Sequence, residues 1–444
     1  MRARESKKLG CASAFLALAL VSASPQPGSA AGAAAHARAL ASCEPGWPQF
    51  RGPRRDGICD ERGLLPTWPE AGLKLLWSVT NIARGYSSPV IANGRFFITG
   101  DADEELHIFA FDLDGRSLWR GTNGLGWKEP YPGARSSVTY SGGRIYHQNA
   151  HGRLACYDAA TGGEIWASRL LEQFGGKEIM WGLSECVLVH GDNVYATVGG
   201  SEALVVALDK STGQLRWKSQ PLLESEGGGA PERASYASPI LVEFGGRQLL
   251  IGCSLRHLVC LDAQDGKLQW TRPMPTTHSV LALMPVLVGD AVFVTAPHGQ
   301  GGALFELKSP AEPDGPVGAK ELWRTRLDSL QGCVVHLDGK LFGSYYSRGK
   351  GWAALDASNG RVLYERPEFA KGSVLAAEDR LYVLCEDGWM LLLQPGLNDF
   401  EVRGRFRLAE AKARDAWAHP VIHQARLYLR YHGTLSCYDI KARW

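Results

Sequence analysis

One turn phrase, Asp-x-x-(Thr/Asp/Asn)-Gly-x-x-x-(Trp/Tyr), occurs four times in the chain at one internal spacing. The copies are Asp158 to Trp166, Asp209 to Trp217, Asp262 to Trp270 and Asp356 to Tyr364. A copy one residue shorter runs from Asp112 to Trp119. Asp bonds to its own backbone in a tight turn, and Gly accepts the positive φ such a turn needs. Each phrase therefore joins two strands, the second ending in a large aromatic.

The aromatics that close the phrases stand at Trp77, Trp119, Trp166, Trp217, Trp270, Trp323 and Tyr364, with Phe406 and Trp444 continuing the series less clearly. The mean step is about 46 residues, the length of a four-stranded propeller blade. Upstream of the turns lie hairpins such as Pro89-Val90-Ile91 with Phe96-Phe97-Ile98, and Pro420-Val421-Ile422 with Leu427-Tyr428-Leu429. These β-branched and aromatic runs, split by Gly, Asp or Asn, read as antiparallel pairs. The count predicts an all-β fold, an eight-bladed β-propeller of four-stranded antiparallel blades. The last module is a strand short, and Leu75-Leu76-Trp77 is a surplus strand at the front. That strand is expected to complete blade eight and close the ring, which removes open edges. Only Leu408 to Lys412 suggests a helical turn.

The expected organisation is a signal peptide over 1–31, an N-terminal arm over 32–73 and the propeller over 74–444. Arg2, Arg4, Lys7 and Lys8 precede an apolar run from Cys11 to Val21, followed by small residues at Ser29-Ala30-Ala31. That is an export signal, and the run is too short to span a bilayer. Export to the periplasm or cell envelope is expected, with no transmembrane span in the mature form. Leu40-Ala41-Ser42-Cys43 imitates a lipid-attachment box but lies far beyond the apolar run. Removing 1–31 leaves forty-four basic against forty-five acidic side chains, and no strand carries a Lys/Arg cluster. A nucleic-acid partner is thereby disfavoured. Cys156, Cys260 and Cys437 fall two residues before a turn Asp, where other modules place Ala110, Ala207 and Ala354. A site shared by Ala and Cys is a small packed one. Cys43 and Cys59 flank the arm and are candidates for a disulfide in an oxidising compartment. His147 and His151 lack the further ligands a zinc site needs.

The phrase Ala/Cys-x-Asp-x-x-Thr-Gly-x-x-x-Trp resembles the repeat of pyrroloquinoline-quinone (PQQ) propellers. That repeat is shared by quinoprotein alcohol dehydrogenases and the outer-membrane assembly lipoprotein of the BAM complex. Trp47-Pro48-Gln49-Phe50-Arg51-Gly52-Pro53 with Asp56-Gly57, then Gly63-Leu64-Leu65, Trp68-Pro69 and Leu76-Trp77, is similar to the opening of exported bacterial PQQ-like propellers. Gly85-Tyr86-Ser87-Ser88-Pro89 and Ala416-Trp417-Ala418-His419-Pro420-Val421 match that family too. The resemblance spans about residues 46–440 and implies architecture and export more firmly than activity.

A PQQ dehydrogenase, as the resemblance describes it, sandwiches the quinone between a tryptophan and a disulfide of adjacent cysteines. It also holds Ca²⁺ on oxygen ligands and carries a carboxylate base. The chain has no adjacent cysteines, and its blade Asp residues are accounted for by turns. PQQ with Ca²⁺ thus belongs to an alternative reading, a quinoprotein dehydrogenase of alcohols or sugars. The first reading is a binding or scaffold module at the cell envelope, with no cofactor, no metal and no catalytic residue. A cytosolic WD-type scaffold is disfavoured by the signal segment. Residues leading into innermost strands face a propeller's channel mouth. They are Tyr86, Arg135, Trp181, Tyr236, His278, Gln331, Lys371, Trp417 and His419, of which Tyr86, Arg135, Trp181, Tyr236, Trp417 and His419 form the candidate ligand set. Aromatic and cationic side chains suit an envelope protein, a glycan or a small ligand. Arg135 is the expected anchor for an anion, through paired hydrogen bonds. The periodic Trp77, Trp119, Trp166, Trp217, Trp270, Trp323 and Tyr364 are assigned to blade packing. A monomer is expected.

Overall fold

The repeated hairpins assemble into eight sheets, each an antiparallel meander of four strands in sequence order, apart from the last. The computed structural model describes residues 35–223, 229–312, 314–347, 350–410 and 413–443. The expected signal segment and Trp444 lie outside them. In blade one the strands are Val90–Ala92, Arg95–Ala102, Glu105–Asp112 and Ser117–Leu125. First strands of several neighbouring blades approach one another, which places them at the axis. The fourth strands are half exposed at the rim; Ser117–Leu125 alternates between exposed and covered positions. Blade eight is assembled from both ends of the chain. Val421–His423, Arg426–Tyr431 and Thr434–Asp439 supply three strands, and Lys74–Val79 pairs antiparallel with the last of them. The fold is an eight-bladed all-β propeller closed by an N-terminal strand.

The turn phrase has a mechanical reason. Asp158 Oδ1 accepts the backbone N–H groups of Ala160 (2.9 Å) and Thr161 (2.8 Å) and the Thr161 hydroxyl (2.9 Å). Those bonds hold its carboxyl below the usual range. Gly162 then takes φ 76°, and the Trp119 ring of the preceding blade lies over it: a Cβ there would stand 2.6 Å from the ring. The Trp119 indole donates to Ala159 O at 3.1 Å. Trp77, Trp166 and Trp217 repeat the contact on Leu113, Lys210 and Ala263. Tyr364 does so with its hydroxyl on Gly396 O. Blade five replaces the phrase with a longer connection between Gly301–Lys308 and Gly318–Thr325, and the Trp270 indole N–H facing it has no partner. Cys156, Cys260 and Cys437 are fully buried alongside Ala110, Ala207 and Ala354.

Three features depart from the sequence reading. The one α-helix among the described residues is Leu170–Phe174, while 408–410 are not helical and 411–412 lie outside the description. Its Leu170, Leu171 and Phe174 are buried between blades two and three. Cys43 and Cys59 are both free thiols: Cys43 is exposed, and Cys59 is buried against Ile422 O at 3.9 Å. The third is the arm. In a meander, the first and third turns of each blade lie at one end of the ring. The second turn and the loop to the next blade lie at the other. The arm crosses the first end and bonds to all eight blades. Ala37 and His36 meet Asp290, and Arg38–Ala39 pairs with Val242 and Glu243. Trp47 bridges Ile91, and Pro48 O accepts from Tyr140 N. Ile58–Cys59 runs parallel to Ala376–Ala377, and the Glu61 carboxylate accepts from Gln424 and Ala425. Blades three and six are held from inside the channel by two arginines, 3% and 2% exposed. Arg55 donates to Cys186 O, Val187 O and Pro239 O at 3.1, 2.6 and 2.9 Å. Arg51 donates to Val334 O at 2.7 Å. Burial holds the Arg55 guanidinium down at about 10. Among the described residues no carboxylate pairs with either cation. Arg55 is satisfied by these carbonyls and, through Nε, by the Gln49 side-chain oxygen at 2.9 Å. Arg51 donates only through Nη2, to Val334 O and Asp56 O, and its buried Nε and Nη1 have no protein partner.

Candidate functional site

With one end covered by the arm, the opposite mouth is the accessible end of the channel. A belt of side chains at equivalent inner-strand positions forms its neck. His419 N–H donates to Ser88 Oγ (2.8 Å), Ser88 N–H to Ser137 Oγ (2.9 Å), Ser137 N–H to Cys186 Sγ (3.2 Å) and Cys186 N–H to Ser238 Oγ (2.9 Å). The belt ties adjacent blades where their sheets are too splayed to share a ladder. The Glu185 carboxyl is also buried here. It accepts from Thr197 N–H, and burial pushes it up to about 7.

Above the neck, loops between blades bring most of the expected site residues together in two aromatic groups. Tyr86 packs on Trp417 (ring centroids 5.0 Å apart), and Tyr131 meets Trp417 edge-on at 5.3 Å. Trp181 packs on Tyr236 at 5.6 Å. Arg135 links the groups. Its guanidinium lies over Trp127, 5.2 Å from the centroid, and donates to the backbone carbonyls of Pro130, Tyr131, Gly133 and Trp181. Most of its N–H donors are therefore used within the protein. Burial lowers it to about 10, offset by Tyr86 and Asp101. This corrects the expectation of an anion anchor: Arg135 organises the 126–137 loop and holds it to Trp181.

His419 is also placed differently. It sits under the mouth, buried, with Nε2 bonded to Gln331 O at 3.0 Å and its ring edge-on to Phe50 of the arm at 4.8 Å. Burial, with the Arg51 charge beside it, drives its pKa down to about 3. It is a neutral neck residue in contact with the plug. On the far side of the mouth, Lys371 Nζ lies 4.1 Å from the Tyr346 ring centroid and 3.7 Å from the Glu386 carboxylate. His278 is exposed, against His298 at 4.9 Å. His147 is buried between Asn123 (2.8 Å) and Ser136 (2.9 Å), which resembles a nucleophile triad only in outline. Asn123 donates to Nδ1, so Nε2 carries the proton and donates to Ser136 Oγ; the serine faces no base and no solvent. His151 bonds Glu178 instead. Among the described residues no three His, Cys, Asp or Glu side chains cluster as metal ligands.

Sequence reasoning missed Tyr131, Trp127, Tyr346 and Glu386. They lie within connecting loops, where no period points to them. Their signal was composition: Trp127, Tyr131 and two prolines crowd one loop.

The family model described as "Outer membrane protein assembly factor BamB" matches residues 108–320, just under half of the chain. The BamB of Yersinia pestis is 25% identical over 285 residues, 62% of this chain and 67% of that protein. The quinoprotein ethanol dehydrogenase of Pseudomonas aeruginosa is 29% identical over 209 residues, 44% of this chain but only 30% of its own length. Among solved structures, the quinohemoprotein alcohol dehydrogenase of Comamonas testosteroni superposes with a TM-score of 0.63 at 14% identity, covering 90% of this chain and 81% of that one. That likeness is one of fold.

Proposed function

From a chain that is a PQQ-like β-propeller, related to the BamB assembly factors and the quinoprotein alcohol dehydrogenases, we propose an exported envelope scaffold that captures a partner at its open mouth and performs no chemistry there. The single observation that carries this reading is the contrast within the channel. One end is filled by the chain's own arm, and the other gathers Tyr86, Tyr131, Trp181, Tyr236 and Trp417 around a closed neck. The relatives named as outer-membrane assembly factors support the envelope setting. No helix among the described residues is long and apolar enough to cross a membrane.

The quinoprotein alternative asks the same residues to hold PQQ and Ca²⁺, and they do not fit. The sequence has no adjacent cysteines, the described residues hold no acidic or histidine cluster, and Phe50, Arg51 and His419 pack the neck. No catalytic step is derived through the quinone.

The test is a photo-crosslinking residue at Tyr131 on the mouth, or at Leu397 on the opposite face, in the native host. The reading expects defined adducts with an envelope partner from position 131 alone. Adducts from 397 only, or dye-linked alcohol oxidation on adding PQQ and Ca²⁺ to the purified chain, would overturn it.

A further inference from the structure

The arm enters the channel at its closed end, yet the segment Trp47 to Gly57 touches the residues that carry the open mouth. Resting on the reading of the mouth as a capture site, we infer that this segment is a wedge that sets the shape of the mouth from below. Phe50 and Arg55 are its positioning residues, one for each aromatic group.

Two separate routes lead from the wedge to the mouth. In the first, the Phe50 ring meets His419 edge-on at 4.8 Å. His419 gives its backbone N–H to Ser88 Oγ at 2.8 Å, and its Nε2 lies 3.0 Å from Gln331 O. Trp417 stands two residues before His419 and Tyr86 two before Ser88, and their rings pack together at 5.0 Å. The second route runs through Arg55. Its guanidinium gathers Cys186 O and Val187 O, where the chain enters blade three, and Pro239 O, where it enters blade four. Beside those carbonyls, Cys186 N–H donates to Ser238 Oγ at 2.9 Å and Ser184 Oγ donates to Tyr236 O at 3.2 Å. These bonds fix the spacing of the two loop ends that carry Trp181 and Tyr236, whose rings lie 5.6 Å apart.

The wedge itself is braced. Arg51 and Arg55 hold φ 63° and 58°, a region that such side chains enter only where their surroundings fix them. Gly52 lies under the Trp47 ring, where a Cβ would come to 2.8 Å, and Gly57 lies against the Arg51 guanidinium at the same limit. Gln49 accepts from Arg55 Nε and donates to Pro53 O, both at 2.9 Å. Filling a channel needs only close-packed bulk. A strained, self-braced loop whose contacts end on the roots of the mouth's own loops is suited to positioning them.

Hydrogen exchange read by mass spectrometry tests the two routes separately, on the mature chain from residue 32. Phe50→Ala should speed exchange in 413–420 about tenfold, equivalent to about 1.4 kcal/mol of local opening, and leave 178–186 as in the parent. Arg55→Met should do the opposite, opening 178–186 and 233–239 while sparing 413–420. The turn at 158–162 is the reference that stays unchanged in both. Phe50→Tyr, which keeps the ring, should match the parent. Exchange that rises evenly around the ring, or in the arm alone, would overturn the inference, as would a Tyr variant as open as the Ala one. Should Arg55→Met not fold, the two Phe50 variants decide. The Tyr131 crosslink separates positioning from capture. Phe50→Ala should lower the adduct yield, and a full yield from an opened loop would remove the positioning role. If the parent itself gives no adducts, the capture reading fails, while the exchange pattern still decides whether the wedge shapes the mouth.

Discussion

The two ends of the channel are built from the same repeat and differ in nearly every physical respect. At the closed end the connections are tight turns outside blade five: Asn93-Gly94 between strands one and two of blade one, and the Asp-Gly phrase between strands three and four of several blades. Their carboxylates are bonded to backbone N–H groups, the tryptophans lie on glycines, and the arm brings Arg51 and Arg55 onto inner-strand carbonyls. At the open end the loops that lead from one blade to the next include long, irregular ones such as 126–137. They expose Tyr131 at 52% and leave polar atoms of Trp417 and Gln331 without partners. The repeat makes a rigid ring. Whatever is particular to this protein sits in the segments that do not repeat.

Predictions that would break this contrast run from large to small. Deleting 74–79 strips the fourth strand from blade eight and exposes Thr434–Asp439. The expected outcome is aggregation on size-exclusion chromatography; an unchanged monomer with unchanged thermal unfolding would show that the ring does not need closure. Trp217→Ala removes the indole stacked over Gly266 and its bond to Ala263 O. Urea unfolding should fall by about 3–5 kcal/mol. Trp217→Phe should cost about 1 kcal/mol more than Trp270→Phe, since only the former loses a hydrogen bond. Arg55→Met removes the donor to Cys186 O and Pro239 O, while Val187 O keeps the Thr139 hydroxyl at 2.6 Å, and should cost about 2–4 kcal/mol. A smaller loss than Trp417→Ala would mean that the arm does not clamp the channel.

A pH series sharpens the neck. Glu185 is raised from its ordinary range to about 7 by burial. The folded state therefore keeps a proton that the unfolded chain releases near 4.5. This group's contribution is complete below about 4.5, declines as pH rises, and is lost above about 7. Glu185→Gln should flatten the pH 5 to 8 decline by about 1–3 kcal/mol. An identical decline in the variant would place the titration elsewhere. The smallest stability effect belongs to the mouth. Tyr131→Ala should change unfolding by less than about 0.5 kcal/mol yet abolish partner capture. A stable variant that still captures its partner would remove Tyr131 from the site.

Period, turn chemistry and the misplaced strand 75–77 were enough to specify eight blades and their closure, because each rests on interactions within one module or between adjacent ones. The same local logic assigned Cys156, Cys260 and Cys437 to packed positions. The arm was visible only as a segment before the ring. Its two arginines look like surface charges in the sequence, and they are buried because carbonyls from blades three, four and six converge on them, positions more than one hundred residues away. The mouth was half legible. Residues leading into inner strands have a fixed register, so Tyr86, Tyr236 and Trp417 could be placed there. Arg135 and His419 were found at the right register with the wrong environment, since the partners that claim them, Trp181 O and Phe50, come from another loop and from the arm. The sequence by itself determined a closed ring of repeated blades, because repetition turns local bonding into global shape. Which end stays open, and which aromatic side chains gather there, was decided only when the non-repeating segments folded onto that ring.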